Sequence, residues 1–220
     1  MTDLKIGDII PFGEYNWRVS KSRRGSPPER TIGENKWRVL DIQEGKALII
    51  MEDVIEKRAY NHEQKEVTWE TCTLREYLNG KFLAKFDKSR IVPTTNQNLD
   101  NPWYGTSGGN PTQDYIFLLS LDEVCSLPYF GDSSANLAQK GTGVIVKRNK
   151  PVGVKDSNNK KRKAKYRDDA WTWWLRSPGD IGSNATYIVE GTVIVCGMHV
   201  VAEYIGVRPA LWLKLNSNVE

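Results

Sequence analysis

A cluster of tryptophans introduces the most regularly patterned part of the chain, which begins Trp171-Thr172-Trp173-Trp174-Leu175-Arg176-Ser177-Pro178-Gly179. Aromatic and β-branched residues favour strands, and a Ser-Pro-Gly sequence is typical of a turn. We therefore predict a strand over residues 171–176 and a turn over residues 177–179.

Short apolar runs separated by turn residues continue from this strand to the end of the chain. The predicted strands cover residues 185–189, 192–196, 199–204 and 207–215. Because the connections are short, with a turn at Glu190-Gly191, we expect an antiparallel meander.

The strand over residues 192–196 predicts two different faces for this sheet. A side-chain period of two puts Val193 and Val195 on one face. The opposite face holds Thr192, Ile194 and Cys196. Since both faces carry apolar residues, either the sheet is covered on both sides or one face is an interaction surface.

Upstream of the tryptophan cluster, the sequence predicts an N-terminal sheet and two helices. Strands are expected over residues 6–12 and 15–19, and a hairpin over residues 37–51 turns at Glu44-Gly45. Thr73-Leu74-Arg75-Glu76 and Ser120-Leu121-Asp122-Glu123 each have the spacing of a capping box, which starts a helix. Asn79-Gly80 is expected to end or kink the first helix.

The whole chain, residues 1–220, is predicted to be one domain with two unusual segments. A near repeat of residues 13–19 at residues 33–39 indicates a duplicated insert over residues 20–36. The basic segment, residues 147–167, contains ten Lys or Arg and one acidic residue. The segment therefore has a net charge of +9, and because the whole chain has a net charge of +4, the remainder has a net charge of −5. We expect the basic segment to be a mobile, solvated loop, and residues 94–114 to be a long loop pinned by Trp103 and Tyr104.

Composition excludes several classes of protein. Hydrophobic residues make up 39% and charged residues 26% of the 220 residues, which is typical of a globular domain. Three scattered cysteines, Cys72, Cys125 and Cys196, indicate neither a disulfide framework nor a zinc knuckle. We expect no signal peptide within residues 1–10 and no membrane span.

Two motifs near the C-terminus resemble those of a known family. The sequence Trp173-Trp174-Leu175-Arg176-Ser177-Pro178-Gly179, followed by Gly206-Val207-Arg208-Pro209-Ala210-Leu211-Trp212-Leu213, is similar to the signature of bacterial and phage C-type lectin-like domains. The resemblance extends to residues 69–75, 100–106 and 116–120. It implies an α+β class and a C-type lectin-like fold, with two helices packed on mainly antiparallel sheets.

Some members of this group are variable proteins of diversity-generating retroelements, which display mutagenised positions on a fixed framework. The resemblance implies a framework set that consists of Ser177, Pro178, Gly179, Ala185, Gly191, Val193, Gly197 and Gly206. It implies a display set, the candidate ligand-binding residues, that consists of Asp180, Ile181, Asn184, Tyr187, Val189, Glu190, Thr192, Ile194, Cys196, Met198, His199, Val201, Glu203, Tyr204 and Ile205. The display set mixes unrelated chemistries, and a buried face would rarely accept Glu190, His199 and Glu203.

The function expected from these patterns is recognition of a protein or cell-surface ligand, without catalysis and without a cofactor. The anchors would be Tyr187, Met198, His199 and Tyr204, because aromatic and flexible apolar groups dominate interface energetics. A homo-oligomer is compatible with the pattern. Display on a phage particle or a cell surface would follow from the resemblance, although the sequence itself indicates no location.

Several alternatives stay open at the level of sequence. A fixed-specificity module could bind carbohydrate by stacking sugars on Trp171, Trp173 or Trp174, and Lys160–Arg167 could contact nucleic-acid phosphates. A related branch of the fold comprises formylglycine-generating oxidases, which need paired thiols or a thiolate metal site. A structural calcium could use oxygen donors from Asp100, Asn101, Asp114, Asp168 and Asp169, although their spacing matches no calcium loop. His62 and His199 are expected to be surface residues.

Overall fold

A computed structural model gives the fold of residues 4–14, 18–19, 30–31 and 34–215. Sheets dominate these ranges and the few α-helices are short, so the α+β class agrees with the prediction. The predicted strand over residues 15–19 and the duplicated insert over residues 20–36 lie largely outside the described residues. In the described part of these segments, Arg18–Val19 pairs with Arg30–Thr31.

The strands are numbered in chain order. They are β1 Ile9–Glu14, β2 Arg18–Val19, β3 Arg30–Thr31, β4 Glu34–Gln43, β5 Lys46–Met51, β6 Glu56–Lys57, β7 Ile91–Val92, β8 Thr94–Asn96, β9 Thr112–Asp114, β10 Val144–Lys147, β11 Lys150–Val154, β12 Ala164–Tyr166, β13 Asp169–Trp171, β14 Trp173–Pro178, β15 Asn184–Val189, β16 Thr192–His199, β17 Gly206–Val207 and β18 Ala210–Lys214. Most of them belong to a five-stranded and a seven-stranded sheet.

The five-stranded sheet has the order β1-β4-β5-β18-β7. Its β4–β5 hairpin turns at Glu44-Gly45, as predicted, and Gly45 has a φ of 69°, which a glycine adopts without strain. Strand β18 pairs antiparallel with β5, from Ala210 opposite Ile50 to Lys214 opposite Lys46. The C-terminal strand therefore completes a sheet that the N-terminal half of the chain begins.

The seven-stranded sheet has the order β10-β11-β16-β15-β14-β17-β6. The predicted meander is correct for β14, β15 and β16 but wrong for residues 207–215, since β18 lies in the other sheet. The predicted strand over residues 171–176 is interrupted at Thr172, whose carbonyl accepts a hydrogen bond from the Gly206 amide at 3.0 Å. Strand β13 instead pairs with β12.

The strand predicted over residues 199–204 is a turn. Strand β16 ends at His199, and the Ala202 amide donates back to the His199 carbonyl at 3.0 Å. Segment 58–61 holds the two ends of this turn, because the Asn61 amide donates to Val200 and the Arg58 amide donates to Ile205. These long-range partners replace the strand neighbour that the local pattern predicts.

Four short α-helices occur in the described residues, where two were predicted: α1 Thr73–Tyr77, α2 Leu121–Ser126, α3 Ser134–Leu137 and α4 Asn159–Arg162. The capping box at Ser120 and Glu123 is confirmed, with both reciprocal hydrogen bonds present. The capping box predicted at Thr73 is wrong. Helix α1 starts after Cys72, and the Thr73 hydroxyl instead accepts from the His62 amide at 3.2 Å.

The predicted irregularity at Asn79-Gly80 is present. Helix α1 widens into a π-helical segment over Leu78–Phe82 and then tightens into a 3-10 segment over Leu83–Lys85. The Asn79 side chain stabilises this irregular helix, because it donates hydrogen bonds to the Arg75 carbonyl at 3.3 Å and to the Ile116 carbonyl at 2.9 Å. Its oxygen accepts from the Tyr115 amide at 2.8 Å.

The basic segment is built into the fold, so the predicted mobile loop is wrong. It contains part of β10, all of β11, helix α4 and strand β12. Arg162 is fully buried, where it donates to the Val124 carbonyl at 2.9 Å and to Asp156 at 3.1 Å. A run of positive charge does not reveal that one of its members is a core residue.

The core lies within and between the two sheets and contains four fully buried tryptophans, Trp37, Trp69, Trp173 and Trp174. Three of their indole N–H groups donate to backbone carbonyls, and Trp69 donates to the Asp114 carboxylate at 3.0 Å. Buried tryptophans need such partners for their polar atom.

Candidate functional site

The outer face of the seven-stranded sheet is the surface that the display set predicts. Ile188, Val193 and Val195 are fully buried on the inner face, as alternation predicts. Tyr187 and Ile194 are opposite each other on β15 and β16 and remain half-buried on the outer face. This face is therefore neither fully covered nor fully exposed.

A bulge in β16 keeps the outer face continuous along the strand. Ala185 and Tyr187 are two residues apart, whereas their partners Met198 and Ile194 are four apart. Because the two extra residues are an even number, Met198 stays on the face that carries Ile194. Gly197 forms the bulge with a φ of 80°, and a Cβ there would lie 2.7 Å from the Ala185 carbonyl oxygen.

Asn101 fixes the bulge from the adjacent loop, and its role was not recognised from the sequence. Its buried side-chain amide donates to the carbonyls of Pro178 at 2.8 Å, Gly179 at 3.2 Å and Val195 at 3.0 Å. Its oxygen accepts from the Trp103 amide at 2.9 Å. The motif over residues 100–106 therefore ties one long loop to β14 and β16.

The loop over residues 94–114 is ordered and pinned by its aromatics, as predicted. Strands β8 and β9 close its base. The Trp103 indole donates to the Leu137 carbonyl, and the Tyr104 hydroxyl donates to the Pro151 carbonyl on β11. Tyr104 is thereby placed at the border of the outer face, and it is a site residue that sequence reasoning missed.

Four side chains of the outer face affect one another electrostatically. Burial raises the pKa of Cys196, and the negative charge of Asp180 raises it further. Burial together with Cys196 and Asp180 raises the pKa of Tyr104. Burial, followed by Cys196, also raises the pKa of Tyr187. Burial therefore favours the neutral forms of the Cys196 thiol and of the Tyr104 and Tyr187 hydroxyls. The same surface also carries the exposed acidic residues Asp180, Glu190 and Glu203.

The display set extends from the sheet onto the turn over residues 200–205. Tyr204 adds to the raised pKa of Tyr187, which links the turn to the sheet. The turn is tied at its base, because the Trp171 indole donates to the Tyr204 carbonyl at 2.9 Å. Gln64 lies 3.3 Å from the His199 ring nitrogen.

Most of the display set is accessible. The exposed members are Asp180, Ile181, Glu190, His199, Glu203 and Tyr204, and the half-buried members are Asn184, Tyr187, Val189, Thr192, Ile194, Cys196, Met198 and Val201. Ile205 is the exception, because its side chain is 0% exposed and belongs to the core. Including Ile205 in the display set was wrong, and its position after an exposed tyrosine gave no local signal of burial.

The framework set is packed against backbone. Seven of its eight members are buried, and Gly197 is half-buried. A Cβ on Gly191 would lie 2.0 Å from the Asn159 carbonyl oxygen, and one on Gly179 would lie 2.6 Å from the Cys196 carbonyl oxygen. A Cβ on Gly206 would lie 2.7 Å from the Thr172 carbonyl oxygen. No side chain fits at these positions without a backbone shift.

Comparison with models of known protein families assigns the chain to one of them. The model of a family described as a domain of unknown function, DUF6273, matches residues 44–215. The chain belongs to this family. The match covers the outer face, the loop with Asn101 and both large sheets apart from β1 and β4, while the duplicated insert lies outside it. Searches of curated proteins and of solved structures find no match to this DUF6273 domain.

The sugar-stacking candidates are not equivalent in the DUF6273 domain. Trp173 and Trp174 are fully buried, so neither can stack on a ligand. Trp171 is half-buried, and the Lys57 ammonium lies 3.6 Å from its ring centroid. Stacking on Trp171 would require this lysine to move.

Two of the calcium candidates, Asp114 and Asp100, already accept hydrogen bonds from protein donors. Asp114 is buried and accepts from Trp69, Arg75, Asn79, Asn96 and Thr112. Asp100 accepts from the Gly108 amide at 3.0 Å, and Asp168 and Asp169 lie on the surface. In residues 4–14, 18–19, 30–31 and 34–215, no group of three or more His, Cys, Asp or Glu could hold a metal.

Both histidines lie on the surface, as predicted. His62 lies 3.4 Å from Glu63, and His199 neighbours Gln64. Among the helices that the structure describes, none is long and apolar enough to cross a membrane.

Proposed function

We propose that this DUF6273 domain is a ligand-binding domain of the C-type lectin-like kind that recognises its ligand with the display set without Ile205. The observation that carries the proposal is the division between the two residue sets. Fourteen display positions keep part of their side chain accessible, whereas the framework positions are buried or pressed against backbone.

A diversified binding surface needs this division. Substitutions at accessible positions cost little folding free energy, whereas substitutions of glycines with no room for a Cβ are strongly destabilising. The arrangement therefore allows the binding face to change while the sheet persists. We propose on this basis that the display positions are diversified, as in variable proteins of diversity-generating retroelements.

The chemistry of the outer face also favours binding of a protein ligand. Tyr187 packs edge-on against the buried Trp174, with ring centroids 6.3 Å apart, so its ring is held in place before binding. Tyr204 is 53% exposed and Ile181 is 52% exposed. Aromatic groups that are rigid before binding lose little entropy on contact and dominate interface energetics.

The thiols of the domain have the opposite properties to those of reactive thiolates. Burial raises the pKa of Cys72 and of Cys125 to about 12. The pKa of Cys196, on the outer face, is raised as well. Thiolate chemistry requires a lowered pKa. These observations favour binding over the oxidase alternative.

The deciding experiment is to sequence this gene from many members of one population. If the proposal is right, substitutions concentrate at the fourteen accessible display positions, and residues 173–179 and 206–213 stay constant. Substitutions spread evenly along the chain, or identical copies, would refute diversification and leave a binding domain of fixed specificity.

Two matched libraries test the framework separately from diversification. One library randomises seven accessible display positions, and the other randomises seven framework positions. Resistance to a protease at a fixed concentration reports the folded fraction of each library. We expect most members of the display library and few members of the framework library to resist. Equal resistance would contradict the division between the sets.

A further inference from the structure

A polar groove of about 550 Å³ lies beside the outer face, between segment 57–62 and the turn over residues 200–205. Its lining residues are Lys57, Arg58, Ala59, His62, Thr73, Val201 and Glu203. One wall consists of residues that belong to neither the display set nor the framework set, and Val201 and Glu203 on the other wall belong to the display set. The volume is that of a small-molecule site.

The cationic wall offers one ammonium group that has no acidic partner. Arg58 is already engaged, because it forms an ion pair with Glu56 at 3.0 Å and its guanidinium lies over the Tyr77 ring. The Lys57 ammonium lies over the rings of Trp171 and Tyr166, at 3.6 Å and 5.1 Å from their centroids. Among the described residues, no carboxylate lies within 4.0 Å of it.

The opposite wall offers one carboxylate that has no basic partner. Glu203 is exposed, and no Lys, Arg or His nitrogen in the described part of the chain lies within 4.0 Å of its carboxylate. Lys57 and Glu203 are thus not paired with each other, although they line the same groove. A ligand with one group of each sign could pair with both.

Apolar groups lie in the same groove. Val201 is half-buried and Ala59 contributes a methyl group. His62 is turned toward Glu63, at 3.4 Å, and the Thr73 hydroxyl accepts from the His62 amide. The groove therefore combines one available cation, one available anion and a small apolar surface.

We propose that the groove binds a small zwitterion of about dipeptide size, with the ligand carboxylate at Lys57 and the ligand ammonium at Glu203. An apolar ligand side chain would contact Val201. The proposal rests on the proposed function, because the display set supplies the anionic wall. It adds that Lys57, which lies outside the display set, recognises the carboxylate of the ligand, while residues 201 and 203 determine which ligand binds.

The test uses the whole chain and three probes that differ in their terminal charges. Alanyl-leucine carries both charges, its N-acetyl derivative lacks the ammonium, and its C-terminal amide lacks the carboxylate. Binding at pH 7.5 is followed by amide chemical shifts of His62, Thr73 and Val201. Because exposed ion pairs contribute little, we expect a dissociation constant on the order of 1–10 mM for alanyl-leucine. Each blocked probe should bind about two- to fivefold more weakly.

Two variants assign each charge to its residue. Lys57→Met should weaken binding of alanyl-leucine but not of its amide, and Glu203→Gln should weaken binding of alanyl-leucine but not of its N-acetyl derivative. Lys155→Met and Glu44→Gln are controls, since both residues are exposed and lie outside the groove and outside the display set. No shift at the groove, or equal binding of the three probes, would overturn the proposal.

The outcome is separable from that of the population experiment. Charge-dependent dipeptide binding together with an invariant gene would support the groove and refute diversification. A variable gene together with no dipeptide binding would support diversification and refute the groove.

Discussion

Removal of the Asn101 amide should destabilise the whole domain, although the residue lies in a loop. Its two N–H groups reach three buried carbonyls on β14, β16 and the residue that follows β14. A buried neutral hydrogen bond contributes about 1 kcal/mol, and the carbonyls lose this donor without gaining water. We therefore expect Asn101→Ala to lower the free energy of unfolding by about 2–3 kcal/mol in urea titrations at pH 7.

Asn101→Asp extends the test, because it keeps the shape of the side chain and reverses its role. A carboxylate would face carbonyl oxygens at 2.8–3.2 Å, so the folded state should raise the pKa of the new aspartate. A group whose pKa is raised on folding binds its proton more tightly in the folded state, and its stability deficit shrinks as pH falls. Asn101→Asp should therefore be closer to the wild type at pH 5 than at pH 7.

Asn110→Ala is the control for both variants. Asn110 lies in the same loop but is exposed, and its side chain donates one hydrogen bond, to Glu70 at 3.0 Å. It should change the free energy of unfolding by less than about 0.5 kcal/mol. If Asn101→Ala changed it as little, or if the deficit of Asn101→Asp did not depend on pH, Asn101 would not hold the bulge.

Four further predictions concern the bulge, the half-buried thiol of Cys196 and the buried carboxylate of Asp114. Gly197→Ala should cost at least about 2 kcal/mol of unfolding free energy in urea, because φ is 80° and the new Cβ meets a carbonyl oxygen at 2.7 Å. Iodoacetamide should modify Cys196 in the native protein before the two buried cysteines, as read by peptide mass spectrometry. Asp180→Asn should speed that reaction about twofold at pH 8, because removal of the negative charge lowers the pKa of the thiol. Asp114→Asn should cost roughly 3 kcal/mol in thermal or urea unfolding, because Arg75 loses its buried partner.

Each of these predictions has an outcome that would contradict it. Wild-type stability of Gly197→Ala would mean that the bulge is not required, and Gly45→Ala controls for a positive φ without a close contact. An unchanged or slower reaction of Asp180→Asn would show that the charge of Asp180 does not raise the pKa of Cys196. An unchanged midpoint for Asp114→Asn would mean that its five donors find other partners.

Several elements of the structure could be predicted from the local pattern of the sequence. The hairpin over residues 37–51, the capping box at Ser120 and the opposite faces of β16 could all be predicted, because each depends on residues within a few positions of one another. The segregation of Val193 and Val195 from Ile194 follows from the strand period alone. These features would be expected in any fold that contains the same segments.

The pairing of the strands and the burial of particular polar residues depend on tertiary contacts that no local pattern contains. Strand β18 joins β5, about 160 residues earlier in the chain, and segment 58–61 converts a predicted strand into a turn. Ile205 and Arg162 enter the core, and Asn101 holds the bulge, through contacts with residues distant in sequence. A local pattern fixes the conformation and the faces of a segment, whereas its partners depend on which surfaces remain to be covered when the whole chain packs.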